Sequence, residues 1–121
     1  LLKALAQINI QSRNETVTLI MRGDDGTLIA GLDAATSYGW LHLHLLWVKE
    51  NLRGRGLGER LLRETKARAR KLRCHGIWLD TSNEAASRIY TRHGFVEFGA
   101  LSNRSDQFPA DHRRVFLKKE L

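Results

Sequence analysis

Trp47-Val48-Lys49-Glu50-Asn51-Leu52-Arg53-Gly54-Arg55-Gly56-Leu57-Gly58 is the stretch on which the reading of this chain turns. An apolar run ends there in glycines at alternate positions, 54, 56 and 58, and a helical pattern follows. Glycine lets a main chain approach an anion closely and take up dihedrals closed to other residues. The unpaired N–H groups of a helix start, with the positive end of its dipole, supply the attraction. Strand, glycine loop and helix in that order predict a phosphate cradle made of backbone, with Arg53 and Arg55 beside it.

Working upstream, Trp40 to Val48 reads as a strand, Ser37-Tyr38-Gly39 as a turn and Thr27 to Ala35 as another strand. Gly23-Asp24-Asp25-Gly26 is a hairpin turn, and the β-branched alternation of Thr16 to Arg22 predicts the strand before it. Leu1, Leu2, Leu5 and Ile8 have the spacing of a helix tail. Downstream, a helix from Gly56 to Leu72 gathers Leu57, Leu61, Leu62, Ala69 and Leu72 on one face. Gly76 is placed as its left-handed cap. Ile77 to Asp80 reads as a buried strand. Ser82 or Asn83 caps a second helix that ends at His93-Gly94. Phe95 to Ala100 and Val115 to Lys119 complete the strands, with a loop between them. Hairpins first and strand–helix alternation later predict an α/β fold: one mixed sheet with helices packed on its faces.

The 121 residues form one domain, 1–121, with room for a core. The hydrophobic fraction is 42% and the charged fraction 27%, ordinary for a globular protein. No apolar stretch is long enough to span a bilayer, so no membrane partner is expected. Leu1-Leu2-Lys3-Ala4-Leu5-Ala6 lacks a signal-peptide layout and an initiating Met, which suggests a trimmed start. A lone Cys74 excludes an internal disulfide framework and fits a cytoplasmic setting. The net charge of +7 raises nucleic-acid binding as an alternative, with Arg53, Arg55, Arg60, Arg63, Lys66, Arg68, Arg70, Lys71 and Arg73 in one segment. The bland reading of that stripe is a solvated helix face. It also lacks the interleaved aromatics of a strand-binding surface, which weighs against nucleic acid. A metal site on His42, His44, Cys74 and His75 has no ordered ligand set behind it, so none is expected.

Two motifs together resemble the GNAT superfamily of acetyl-CoA-dependent N-acetyltransferases. Val48-x4-Arg53-Gly54-x-Gly56-x-Gly58 looks like its pyrophosphate loop, and Asn83-x2-Ala86-x3-Tyr90-x3-Gly94-Phe95 like its second cofactor motif. Phe108-Pro109-x2-His112-x-Arg114-x-Phe116-Leu117-x-Lys119 and Tyr38-Gly39-Trp40-Leu41 look like a subgroup of small bacterial members. The resemblance covers roughly residues 16 to 121. It implies that elements usually found before Thr16 are truncated here. Arg88 and Ile89 stand before Tyr90 where that subgroup would have an acidic-aromatic pair.

The resemblance implies acetyl-CoA as co-substrate. Main-chain N–H groups from Arg53 through Gly54, Arg55, Gly56 and Leu57 to Gly58 would hold its pyrophosphate. The backbone of Leu46, Trp47 and Val48 would line the pantetheine arm, which requires two parallel strands to part. The reaction implied is direct attack by a primary amine in a ternary complex. The N–H of Val48 would stabilise the thioester oxygen. Tyr90 would protonate or hydrogen-bond the leaving thiolate; its alternative is a helix tyrosine packed on the sheet. Asn83 would touch the cofactor, cap its helix, or both.

A base is also needed, because a lysine-like amine of pKa ~10.4 costs roughly 4–5 kcal/mol to deprotonate at neutral pH. Strand alternation puts His42, His44, Leu46 and Val48 on one face, so either histidine could serve. The alternative is an ordinary strand histidine. His112 is a candidate for the acceptor's border. A non-catalytic acyl-CoA sensor is the other reading of the same motifs. The acceptor is a small-molecule or peptide amine, and an exposed edge strand near Val115 would allow a homodimer.

Overall fold

The computed structural model describes residues 15–121, so the helix tail expected at Leu1 to Ile8 lies outside the described residues. Six strands form one sheet. They are β1 (Thr16–Arg22), β2 (Leu28–Ser37), β3 (Trp40–Val48), β4 (Gly76–Thr81), β5 (Val96–Ser102) and β6 (Arg113–Glu120). Two helices follow β3 and β4 in the chain: α1 (Leu57–Lys71) and α2 (Glu84–Arg92). The sheet order is β1-β2-β3-β4-β6-β5. All its pairings are antiparallel except β3 with β4. A mixed α/β sheet with helices packed on it is what the alternation of patterns predicts.

The β2–β3 hairpin turns on Tyr38-Gly39, both at positive φ (54° and 80°), the two-residue geometry whose twist matches its strands. Leu61, Leu62 and Ala69 of α1 and Tyr90 of α2 share one buried cluster with Leu32, Leu41, Ile77, Leu79 and Leu117 of the strands. Both helices therefore cover the same sheet face, as right-handed β–α–β crossovers running in one direction require.

Two sequence expectations are revised. The left-handed residue after α1 is Arg73 (φ 63°), not Gly76. Cys74 N–H donates to Ala69 O at 2.8 Å and Arg73 N–H to Arg70 O at 3.0 Å, which is a Schellman close. Cys74 and Ala69 are both buried and supply its apolar contact. Gly76 instead opens β4 and is small for packing reasons: a Cβ there would lie 2.2 Å from Cζ3 of Trp40. Val115, in turn, is no edge residue. It is buried in β6, which lies between β4 and β5, so that strand offers no edge to a second copy.

Gly76→Ala is expected to lower stability by about 1–3 kcal/mol, since the Trp40 ring must leave its seat. Chemical denaturation checks this through a lower midpoint at unchanged slope.

Candidate active site

β3 and β4 pair at three positions only: Trp40 with Gly76, Leu41 with Ile77 and His42 with Trp78. Beyond them β3 continues to Val48 and β4 to Thr81. Each is held from its far side, β3 by β2 and β4 by β6. A wedge therefore opens in the sheet. Lys49 N–H donates to Ile29 O at 2.8 Å, and the Gly31–Trp47 pair continues that ladder. Peptide groups alternate sides along an antiparallel strand. Those of Leu46 and Val48 thus face the wedge, while that of Trp47 is turned toward Gly31. The main-chain contact expected of Trp47 is thus turned away from the wedge, although the residue still borders the cleft.

That cleft has a volume of ≈ 640 Å³ and brings together Leu46, Trp47, Val48, Arg53, Gly54, Gly56, Leu57, Gly58, Asn83 and Tyr90. Of the residues expected to hold the co-substrate, Arg55 alone is not in its wall. Between β3 and α1 the chain makes a short 3₁₀ turn, Glu50–Leu52. Gly54 and Gly56 then take φ of +80° and +81°, and a Cβ built on either would meet no atom within 4 Å. Both conformation and open space call for the bare backbone. Gly56 caps α1 with no side-chain hydrogen bond. Arg60 N–H, bonded to Gly56 O at 3.0 Å, is the first to close the helix. The N–H groups of Leu57, Gly58 and Glu59 consequently have no acceptor within the helix. A loop that holds unpaired donors in front of open space fits a pyrophosphate. The Arg53 side chain also ties this loop to the strand end, its Nε donating to Val48 O at 3.0 Å.

Asn83 caps α2, its Oδ1 accepting from Ala86 N–H at 3.1 Å, and also lines the cleft. Tyr90 is 9% exposed and packs edge-on against Phe95, with ring centroids 5.6 Å apart. Among the described residues its hydroxyl has no hydrogen-bond partner. Burial pushes the phenol above its ordinary value, so it stays protonated throughout the neutral range.

The histidines depart from the expected alternation. Ala34 pairs with Leu43 but Asp33 with Leu45, which leaves His44 as the extra residue of a β-bulge. A bulge shifts the phase of a strand. Before it, Leu41 and Leu43 face the core; after it, Leu46 and Val48 do. His42 and His44 therefore do not share a face with Leu46 and Val48. They sit together on the opposite side of the sheet, rings edge to face at 4.4 Å. His42 stacks on Trp78 at 3.6 Å, nearly parallel. Its Nε2 lies 3.3 Å from Asp80 Oδ1. Burial holds His42 below the usual histidine value against the pull of Asp80. His44 is more exposed and lies 3.9 Å from Asp33. His112 lies outside the cleft, bonded to Ser82 Oγ at 2.9 Å beside a second, polar cavity on the other flank of α2.

Sequence reasoning does not single out Asp80 or Arg114 as site residues. Arg114 Nη1 donates to Asp80 Oδ2. Burial raises the Asp80 carboxyl, but hydrogen bonds from Arg114 and His42, with their charges, leave it below the ordinary carboxylate value. The only signal in the sequence is a carboxylate ending a buried apolar strand.

Wedge, peptide cradle and buried phenol together offer a cleft whose shape and donors suit a nucleotide-linked thioester. Residues 2–95 match the acetyltransferase (GNAT) family, and the chain belongs to that family, whose enzymes are acyltransferases drawing on acetyl-CoA. It is 38% identical over 91 residues to the acetyltransferase Atu2258 of Agrobacterium fabrum, covering 75% of this chain and 66% of that protein, just under two thirds. It is 40% identical over 100 residues to the blasticidin-S acetyltransferase of Streptomyces morookaense, covering 82% and 71%. A crystal structure of an Agrobacterium tumefaciens acetyltransferase superposes with a TM-score of 0.85 at 33% identity, over 99% of this chain and 85% of that one.

Gly56→Val is expected to abolish detectable acetyl-CoA binding in calorimetry, because it puts a side chain into the cradle at a φ that costs roughly 1–2 kcal/mol. Circular dichroism matching the parent would show that the fold persists. Binding at parental strength would show the cradle to be elsewhere.

Proposed function

We propose that this protein transfers the acetyl group of acetyl-CoA to a primary amine by direct attack in a ternary complex. The observation that carries the proposal is the wedge between β3 and β4. It opens just past the last β3–β4 pair, with the cleft lined by Tyr90 on the helix face and His42, a member of that pair, on the opposite face. The bound thioester supplies an activated acetyl group. The acceptor nitrogen forms the C–N bond as the C–S bond breaks, with no acyl group on the protein. The amine proton goes to His42, and the sulfur takes a proton, or a strong hydrogen bond, from Tyr90.

His42 suits the base role better than His44. It is half-buried, stacked and tied to a carboxylate, and its lowered pKa keeps it neutral at working pH. The N–H groups of Val48 and Leu46, turned into the wedge, suit the developing negative charge on the carbonyl oxygen. A phenol raised by burial is a weaker acid than a thiol near pKa 8.5, so Tyr90 acts mainly through its hydrogen bond to sulfur. We infer a small-molecule amine as acceptor, in keeping with the Streptomyces relative named for blasticidin S. A free, buried thiol such as Cys74 accords with a cytoplasmic setting.

Thiol release from acetyl-CoA over a panel of small amines and peptide N-termini tests the reading. Release that depends on an added amine supports it; binding of acetyl-CoA with no release by any amine would leave a sensor. Tyr90→Phe is expected to lower kcat by on the order of 100-fold while the acetyl-CoA dissociation constant stays within about twofold. Unchanged kcat would remove the donor role. Since the phenol titrates above its usual range, any alkaline limb near pH 8–9 should persist in Tyr90→Phe (~pKa 10 for a free phenol).

A further inference from the structure

The face of the sheet away from the helices carries a chain of side chains from three strands. His42 lies on β3, Asp80 on β4 and Arg114 on β6. Asp80 lies on β4 two residues past the last β3–β4 pair, His42–Trp78; it pairs with Phe116 of β6, and its carboxylate reaches back to His42 at the root of the wedge. One oxygen, Oδ1, lies 3.3 Å from His42 Nε2, and the other, Oδ2, accepts from Arg114 Nη1. An ionised carboxylate only accepts. Arg114 and the imidazole both keep Asp80 ionised. A neutral imidazole facing it must therefore carry its proton on Nε2, which leaves the Nδ1 lone pair free.

We propose that Asp80, gripped by Arg114, is a positioning residue that fixes the Nε2–H tautomer of His42 and so makes Nδ1 its proton-accepting atom. This rests on the reading of His42 as the base. The Trp78 ring fixes the plane of the imidazole from below, and the carboxylate fixes its rotation within that plane. During the reaction Nδ1 takes the amine proton, and the imidazolium then donates from Nε2 to the ionised carboxylate. Asp80 thereby stabilises the charge without taking a proton itself.

The charged and titratable groups facing His42 are Asp80 from β4 and His44 from β3. Arg114 from β6 stands behind Asp80, and Asp33 from β2 behind His44. Asp80 raises the His42 pKa and His44 lowers it. Replacing Asp80 by an amide must consequently move the histidine titration to lower pH.

Two measurements test this. Long-range nitrogen–proton NMR on the intact wild-type protein reads the tautomer directly. Neutral His42 with its proton on Nε2 is expected; a proton on Nδ1 overturns the proposal with no variant needed. The pH profile of kcat/KM is then compared in wild type and Asp80→Asn. In the variant, kcat should fall at least tenfold at neutral pH with little change in KM for acetyl-CoA. The acid limb should move down in pH, and His42 should become a mixture of tautomers. A smaller kcat with an unmoved limb and an unmoved tautomer would make Asp80 a merely structural link between strands and would overturn the proposal. Should the amide variant not fold, Asp80→Ser is read by the same criteria, and the wild-type tautomer still decides. His42→Ala separates the two readings. If it keeps full activity, the base assignment fails whatever the tautomer. If it loses activity while Asp80→Asn behaves as wild type, only the positioning role fails.

Discussion

Everything in this molecule depends on two parallel strands that stay paired for three residues and then part. β1, β2 and β3 form one antiparallel half-sheet, and β4, β6 and β5 form another. The seam between them is the short run Trp40–His42 against Gly76–Trp78. An unpaired stretch of backbone inside a sheet is costly unless its polar groups find other partners. Here the outer ladders are complete, with β2 paired along β3 and β6 along the whole of β4. The penalty is thereby confined to the wedge-facing peptides of the two strand ends. Those groups are what an amide-bearing ligand arm can use. The seam is kept closed at its root by Trp40, whose ring fills the space left by the missing side chain of Gly76.

The parting also separates two kinds of chemistry. The helix face of the wedge is lined by the bare loop, the unpaired N–H groups of the first turn of α1 and a buried phenol. The other face carries imidazole, carboxylate and guanidinium. In the proposed mechanism, the amine approaches from one face and the thiol departs on the other, so proton traffic is needed on opposite sides. The bulge at His44 brings this about. Without it, strict alternation would put the histidines in the same wall as Leu46 and Val48. One extra residue in β3 moves the histidines across the sheet and keeps the apolar residues of the strand end toward the core.

Much of this is legible in the sequence. Thr16–Arg22 and Trp40–Val48 fall where alternation places them, because a half-buried antiparallel strand writes its period of two directly into residue type. The glycine loop is legible because positive φ leaves few choices of residue. The errors share a different origin. Gly76 reads locally as a cap, but its smallness answers a tryptophan far away in sequence, and the cap goes to Arg73 in a Schellman close that tolerates a non-glycine residue. Val115 reads as an edge, although strand order within a sheet is set by crossovers that the residues of one strand do not encode. The bulge is invisible because His42 and His44 keep their spacing of two, and only the pairing partner reveals the shift. Asp80 and Arg114 meet only through pairing between β4 and β6.

Charge is the least informative of the sequence signals, and the structure explains why. Of the basic residues from Arg53 to Arg73, Arg53 is the one that lines the cleft. Further along α1, Lys66 is held below its usual value by burial first, and then by Lys119, Arg70 and Arg63. Those cations crowd one another well away from the loop. At physiological ionic strength, exposed charges are screened beyond about 8 Å, so they act on a nucleotide mainly as it approaches. In the proposed reading the hold itself comes from neutral peptide donors, fixed in direction by two left-handed glycines and a helix start. Donors locked in place lose no conformational entropy when the anion arrives, unlike long flexible side chains. A small basic domain can thus carry its positive charge almost anywhere on its surface, provided its backbone is bare at Gly54 and Gly56.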